Sequence, residues 1–376
     1  MDFTWPEESE QVFKQISTAT QEWTAPEDGQ PFTREQWRRC AELGLLGLCV
    51  PTRYGGQGYG FLTSARAVEA FGRGCTDLGL VFSASAHLFA ATMPIVEFGG
   101  EALRERVLPK LCSGEWVGAN AITEEGAGSD AMAGQARAVR DGDGYRITGT
   151  KSFVSNGPAA DVFIVYAHTD PSFGHMGLAS FVVERETEGV SLGPSFDTLA
   201  FQSCPTSSLV LEDAWVPAEH MLGREGQGAT VFHASMRWER SCLFAAYLGQ
   251  MSRVLDRCVD HAKRRKQFGR RIGANQAVSH RIAELQLNLE AARLLLYRAC
   301  WRLDRGEPAT TDIAMAKLAV SRAAVDTALS AVRLFAGLGV RTDVGIEQEL
   351  RNAVPSTIFS GTSEMHLEMI AKELGL

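Results

Sequence analysis

Along the chain the spacing of apolar residues changes twice, and each change predicts a different kind of element. Up to about residue 118, REQWRRCAELGLLGL, LTSARAVEAFGRGC and EALRERVLPKLCSG place apolar side chains three and four apart, as amphipathic helices do. Glycines close these stretches, the first of which runs into the break VPTRYGGQGYG. From about 119 to 222 the period falls towards two. YRITGTKSFVSN, DVFIVYAHT, ASFVVERE and SSLVLEDAWVP are short, rich in β-branched and aromatic residues, and separated by turn clusters such as RDGDG and NGPAAD. They predict the strands of a small sheet or barrel. Beyond GREGQG the chain reads as long helices with short Gly or Pro breaks almost to its end, a pattern expected of an antiparallel four-helix bundle. The predicted fold class is α+β, mostly α: an N-terminal α-helical domain (1–118), a middle β domain (119–222) and a C-terminal helical bundle domain (223–376).

Composition narrows the function classes. With 45% hydrophobic and 22% charged residues the chain reads as an ordinary globular enzyme. A formal net charge of −8 disfavours nucleic acid as a partner. No apolar stretch is expected to reach the roughly 20 residues that cross a bilayer. The acidic start MDFTWPEESEQ lacks the layout of a secretory signal, so a cytoplasmic location is expected. Eight scattered cysteines without a C-x-x-C pair, and eight dispersed histidines, predict neither a disulfide framework nor a metal site.

Four segments carry candidate chemistry: ITEEGAGSD (122–130), GTKSFVSNG (149–157), RKQFGRRIGANQ (265–276) and IFSGTSE (358–364). In the first, the glycines, Gly128 among them, let backbone amides approach a planar ligand, and Thr123 and Ser129 offer hydroxyls. In the third, arginines suit bidentate contact with a pyrophosphate. Each also has a plain reading when taken alone: a polar turn, a strand with one inward phenylalanine, a solvated basic helix end.

In their order and spacing, over essentially the full length, the four segments resemble the acyl-CoA dehydrogenase family. The resemblance implies that family's fold and bound FAD. It places Ile122 and Thr123 against the flavin ring, Gly128 in the same loop, and Ser129 beside flavin and substrate. Phe153 takes the position of an aromatic that stacks on the flavin, usually tryptophan, and Ser155 that of a hydroxyl reaching its reactive nitrogen. Glu125 stands where proline is usual. Arg265, Phe268 and Gln276 match residues that reach the FAD of a neighbouring subunit, which implies a homodimer or homotetramer with a shared site. In RLFAGLGVRTD (333–343), Arg333 replaces the usual glutamine and Ala336 a glycine, while Gly337 is retained for the FAD diphosphate and adenosine. Thr362 and Glu364 also match cofactor contacts, and Gly361 a substrate contact.

Dehydrogenation of a thioester needs a carboxylate to remove the Cα proton while the flavin accepts the Cβ hydride. Many members take it from a Y-E-G-T-S motif, but this chain has Phe359-Ser360-Gly361-Thr362-Ser363, and a serine hydroxyl is too weak a base. Isovaleryl-CoA dehydrogenases and some long-chain members carry the glutamate on a bundle helix, directly before an arginine. MRWERS places Glu239 and Arg240 there. Without the resemblance, Glu239 reads as an exposed helix carboxylate paired to Arg237 or Arg240, worth under ~1 kcal/mol. Arg237 stands where relatives commonly have an aspartate that helps hold CoA, and its charge would favour phosphopantetheine on an acidic carrier protein. The implied activity is FAD-dependent α,β-dehydrogenation of an acyl thioester borne by CoA or by a carrier protein, with an electron-transfer flavoprotein as acceptor. Two alternatives share the fold. A flavin oxygenase or oxidase is disfavoured by Glu239, and a DNA-associated flavoprotein by the negative charge and the lack of a basic C-terminal region.

Overall fold

The computed structural model describes residues 4–26 and 29–376. Its first part is helical: α1 (Glu7–Ala19), α2 (Arg34–Glu42), α3 (Phe61–Gly74), α4 (Leu78–Ser85), α5 (Met93–Phe98) and α6 (Glu101–Cys112). TREQ starts α2 with a capping box, in which the Thr33 hydroxyl accepts from Gln36 N and the Gln36 side chain accepts from Thr33 N. A π-helical segment, Ala86–Thr92, joins α4 to α5. The resulting Leu78–Phe98 stretch corrects an expectation. Its 21 residues, at mean hydropathy 1.5, are long and apolar enough to cross a membrane by length and composition. However, 83% of its most apolar window is buried inside the protein, so it forms core.

Seven strands follow: β1 (Gly118–Ala121), β2 (Arg137–Asp141), β3 (Gly144–Ser155), β4 (Val162–His168), β5 (Leu178–Glu184), β6 (Val190–Ser195) and β7 (Thr206–Pro217). They form one sheet in the order β1-β4-β2-β3-β7-β6, with β5 paired to β4. The run VFIVYAH is buried along its whole length because β4 is covered on both faces. Val162, Ile164 and Tyr166 pack into the helical core, and Phe163, Val165 and Ala167 into a second core within the sheet. Two breaks of register interrupt the β3–β7 pairing, one between Lys151 and Val154, so Phe153 leaves the regular ladder.

The last part holds α7 (Gly228–Trp238), a second π-helical segment (Glu239–Leu243) and α8 (Ala245–Arg264) in one continuous run. A two-stranded hairpin, β8 (Lys266–Gln267) and β9 (Arg270–Arg271), precedes α9 (Gln276–Asp304) and α10 (Thr310–Phe335). The short α11 (Ile346–Ala353) and α12 (Ser363–Glu373) complete the bundle against α10. At the α3–α8 crossing the backbones nearly touch: a Cβ added to Gly249 would lie 2.1 Å from Glu69 O. The predicted order of helices, sheet and helical bundle is the order observed. All eight cysteines are buried free thiols.

Candidate active site

Where the sheet meets both helical parts there is a cavity of about 560 Å³. Its wall includes the loop after β1 (Ile122, Thr123, Gly128, Ser129), the end of β3 (Phe153, Ser155), the α7–π junction (Glu239) and the turn before α12 (Ser360, Gly361, Thr362), with α4, the first π-helical segment and the loop before β7 adding Phe82, Ala86 and Phe201. Residues from three of the four candidate segments, together with Glu239, thus converge on one space.

The loop after β1 is held by an ion pair that the sequence reading passed over. Glu124 is buried, and its carboxylate accepts from the Lys151 ammonium at 2.6 Å and from the backbone amides of Gln135 and Ala136. Lys151 also donates to Ile122 O at 3.3 Å, and Ser152 N donates to Thr123 O at 2.8 Å. Ile122 and Thr123 are therefore tied to the strand that carries Phe153. Burial pushes the Glu124 carboxyl up, but the ammonium and the two amides outweigh it and hold the group below its ordinary value. The signal was an opposite charge in each of two neighbouring motifs, ITEE and GTKS.

Phe153 sits at φ +54°, rare for a bulky residue, and remains 63% exposed, stacked on Phe196 at 5.0 Å between ring centroids. Three residues on, Asn156 at φ +66° donates from Nδ2 to Ser83 O at 3.0 Å and anchors the strand end to α4.

Glu239 is the first residue of the second π-helical segment, which packs against the first. Single-turn π segments recur at functional sites because they re-aim side chains from a helix. Glu239 is only 8% exposed, so it is not a solvated surface carboxylate. The Ser360 hydroxyl donates to its Oε1. Arg240 is not among the residues lining the cavity and donates from Nε to Ser360 O at 2.8 Å, while Lys317 Nζ donates to Gly361 O at 2.7 Å. His366 Nε2 lies 3.3 Å from Ser360 O, a contact that requires the proton on that nitrogen. Burial raises the Glu239 carboxyl above its ordinary value, opposed by the Ser360 hydrogen bond and the charges of Arg240 and Lys317. Burial pulls Lys317 down to about 8 and His366 to about 4.

The other expected residues lie away from this wall. Arg237 is bound by Glu97, at 3.0 and 3.1 Å, so its charge is compensated within the chain. The neighbouring Trp238 stacks on Phe61 and donates to the same carboxylate. Arg265, Phe268 and Gln276 are exposed on and beside the β8–β9 hairpin, with Phe268 fully exposed at its tip and at φ +50°. Arg333 and Gly337 are exposed at the end of α10, and Glu364 is exposed in the first turn of α12, where Thr362 caps the helix by accepting from Met365 N. One chain thus assembles the residues assigned to the flavin ring and the base, and leaves those assigned to a neighbour's FAD on its surface.

Comparison with known proteins agrees with this geometry. The N-terminal, middle and C-terminal domain models of acyl-CoA dehydrogenase match residues 9–115, 119–214 and 226–375. An L-prolyl-[peptidyl-carrier protein] dehydrogenase of Pseudomonas fluorescens is 49% identical over 380 residues, covering 100% of both chains. The solved structure of PigA with FAD and proline superposes with a TM-score of 0.97 at 38% identity, covering 100% of both chains. The prolyl acyl carrier protein oxidase AnaB does so at 0.96 and 38% identity, covering 99% of this chain and 100% of its own. Three contiguous domain matches, full-length likeness in sequence and structure, and a cavity built from the same motifs lead to one conclusion: the chain belongs to the acyl-CoA dehydrogenase family.

Proposed function

We propose that this chain binds FAD and oxidises a prolyl thioester carried on a carrier protein, with Glu239 as the base that removes the Cα proton. The observation that carries the reading is the Glu239 carboxylate, buried in the wall of the same cavity as Thr123, Phe153 and Ser155. An exposed phenyl ring flanked by hydroxyls suits a planar heterocycle with an apolar face and a polar rim, as FAD presents. Bound FAD supplies the acceptor for the hydride that leaves Cβ. The residues of the chain do the remainder. Ser360 occupies Oε1 of Glu239, which leaves Oε2 as the oxygen that takes the proton. Burial raises the affinity of that carboxylate for a proton, which narrows the gap to a weakly acidic C–H. The prolyl group and its carrier are supported by the Pseudomonas fluorescens relative, which matches from end to end.

The complete site needs a second copy. The hairpin tip with Phe268 reaches outward, and α9 exposes Leu287, Leu294 and Trp301 at seven-residue intervals, an apolar stripe that a neighbouring subunit would cover. An electron-transfer flavoprotein is the proposed acceptor, and rapid reoxidation by O₂ alone would favour an oxidase instead.

The test is anaerobic reduction of the bound flavin by prolyl-carrier protein, prolyl-CoA and a simple acyl-CoA. Glu239→Gln is expected to retain FAD and to lose roughly 10²–10⁴-fold in reduction rate. Reduction of that variant at the wild-type rate refutes the assignment.

A further inference from the structure

Three nitrogen donors, from Arg240, Lys317 and His366, crowd the turn opposite Glu239. That turn is strained: Ser360 has φ +56° and Gly361 φ +97°. Glycine would adopt the first angle without cost, so the backbone alone gives no reason for a side chain there. The side chain present is a hydroxyl, and it donates to Glu239 Oε1. The two carbonyls of the turn are both held. Arg240 and His366 donate to Ser360 O, and Lys317 donates to Gly361 O. Lys317 is fully buried, where an ammonium is costly, and its hydrogen-bond partner is a neutral carbonyl rather than a carboxylate.

We propose that Ser360 and Lys317 are positioning residues for the base: Lys317 fixes the turn, and the turn presents the Ser360 hydroxyl that orients the Glu239 carboxylate by donating to it. This rests on the reading of Glu239 as base. In many relatives, by the resemblance, position 360 holds the base itself. Here the same position supplies the hydrogen bond used by a carboxylate arriving from a different helix. The charged and titratable groups around that carboxylate are Arg240 on its own helix, Lys317 from α10 and Tyr166 from β4. His366 and Glu364 of α12 act one step away, through Arg240 and Lys317. Lys317 thus has two effects on the base, an anchor for its partner and a nearby positive charge.

The test is the pH profile of single-turnover flavin reduction by saturating prolyl-carrier protein, in FAD-loaded wild type, Ser360→Gly, Ser360→Asn and Lys317→Met. Ser360→Gly removes the hydroxyl and relieves the backbone, so it should fold at least as well as wild type. Loss of a hydrogen bond to an ionised group should move the acid limb up by about one to two pH units. Ser360→Asn, which tolerates this backbone region and restores a donor, should bring the limb back towards wild type. Lys317→Met should move it in the same direction as Ser360→Gly. A second readout needs no turnover: the infrared carboxyl band that Glu239→Gln abolishes should titrate at higher pH in Ser360→Gly and Lys317→Met. Acid limbs and infrared titrations that superimpose on wild type in both variants overturn the proposal. If no thioester reduces the wild-type flavin, the functional reading fails instead, and the infrared titration alone decides whether the two residues act on the carboxylate.

Discussion

Replacing Lys151 by methionine should loosen the flavin loop through a single electrostatic event. The substitution keeps most of the side-chain volume but strips the buried Glu124 carboxylate of its ammonium partner, now 2.6 Å away. Breaking one side of a buried pair costs about 3–5 kcal/mol. Glu124 keeps two backbone amide donors, from Gln135 and Ala136, which places the expected cost at the lower end, about 3 kcal/mol. Loss of the Lys151 contact to Ile122 O also frees the loop carrying Ile122 and Thr123, so FAD affinity should fall roughly tenfold, about 1.4 kcal/mol. Urea unfolding with an unchanged slope measures the first effect, and flavin release on dilution the second. The pH dependence identifies the cause. In wild type the Glu124 carboxyl is held below the ordinary value of 4.5, so its contribution is present above that pH and is lost as pH falls through the folded value. In Lys151→Met only the two backbone amides oppose the effect of burial, so the carboxyl rises, and the stability gap between the two proteins should shrink as pH falls through the variant's higher value towards that of wild type. A deficit of equal size at pH 7 and pH 4 would refute the ion-pair account and point to lost packing.

Two further outcomes follow from the same structure. Glu239 is raised in the folded protein, so ionising it opposes folding above the unfolded value of 4.5; Glu239→Gln should therefore be more stable than wild type at pH 7, with the gain vanishing in thermal melts below about pH 4.5. Phe268 contacts nothing that shields it within its own chain, so Phe268→Asp should leave the unfolding of a single subunit unchanged while weakening both subunit association, read by sedimentation, and FAD retention.

The sequence disclosed what local patterning governs and hid what tertiary contact decides. VFIVYAH and the long bundle helices were legible because burial on two faces, or on one helical stripe, writes itself into consecutive residues. GANA was not, since no β-branched residue marks it; it becomes a strand by pairing in parallel with β4. The Leu78–Phe98 helix escaped notice because it is apolar around most of its circumference and so has no stripe to read. At the candidate site, Glu239 could be named from one arginine and one missing glutamate, but not its partners. Lys317 and His366 reach the Ser360–Gly361 turn from 44 and 6 residues away, distances at which sequence carries no pairing signal. Arg237 shows the converse: its charge was legible, whereas the compensation by Glu97, 140 residues earlier, was not.

Backbone strain locates the site independently of any motif. Among the described residues, seven non-glycine positions have positive φ: Phe153, Asn156, Phe201, Asp213, Phe268, Ala336 and Ser360. Each costs about 1–3 kcal/mol, so such positions persist only where surrounding structure over-determines them. Phe153, Phe201 and Ser360 line the cavity, and Asn156 directly follows Ser155, which also lines it. Phe268 and Ala336 lie in the two exposed segments that sequence assigns to FAD. Only Asp213 falls outside this pattern. Both π-helical segments, which likewise depart from the regular hydrogen-bond ladder, meet at the same wall and contribute Ala86, Ala90 and Glu239. A fold that departs from relaxed geometry mainly around one cavity is one whose stability is being drawn down to hold side chains in place. The residues so held are an apolar ring, hydroxyls and one buried carboxylate, the set that proton removal beside a planar acceptor requires.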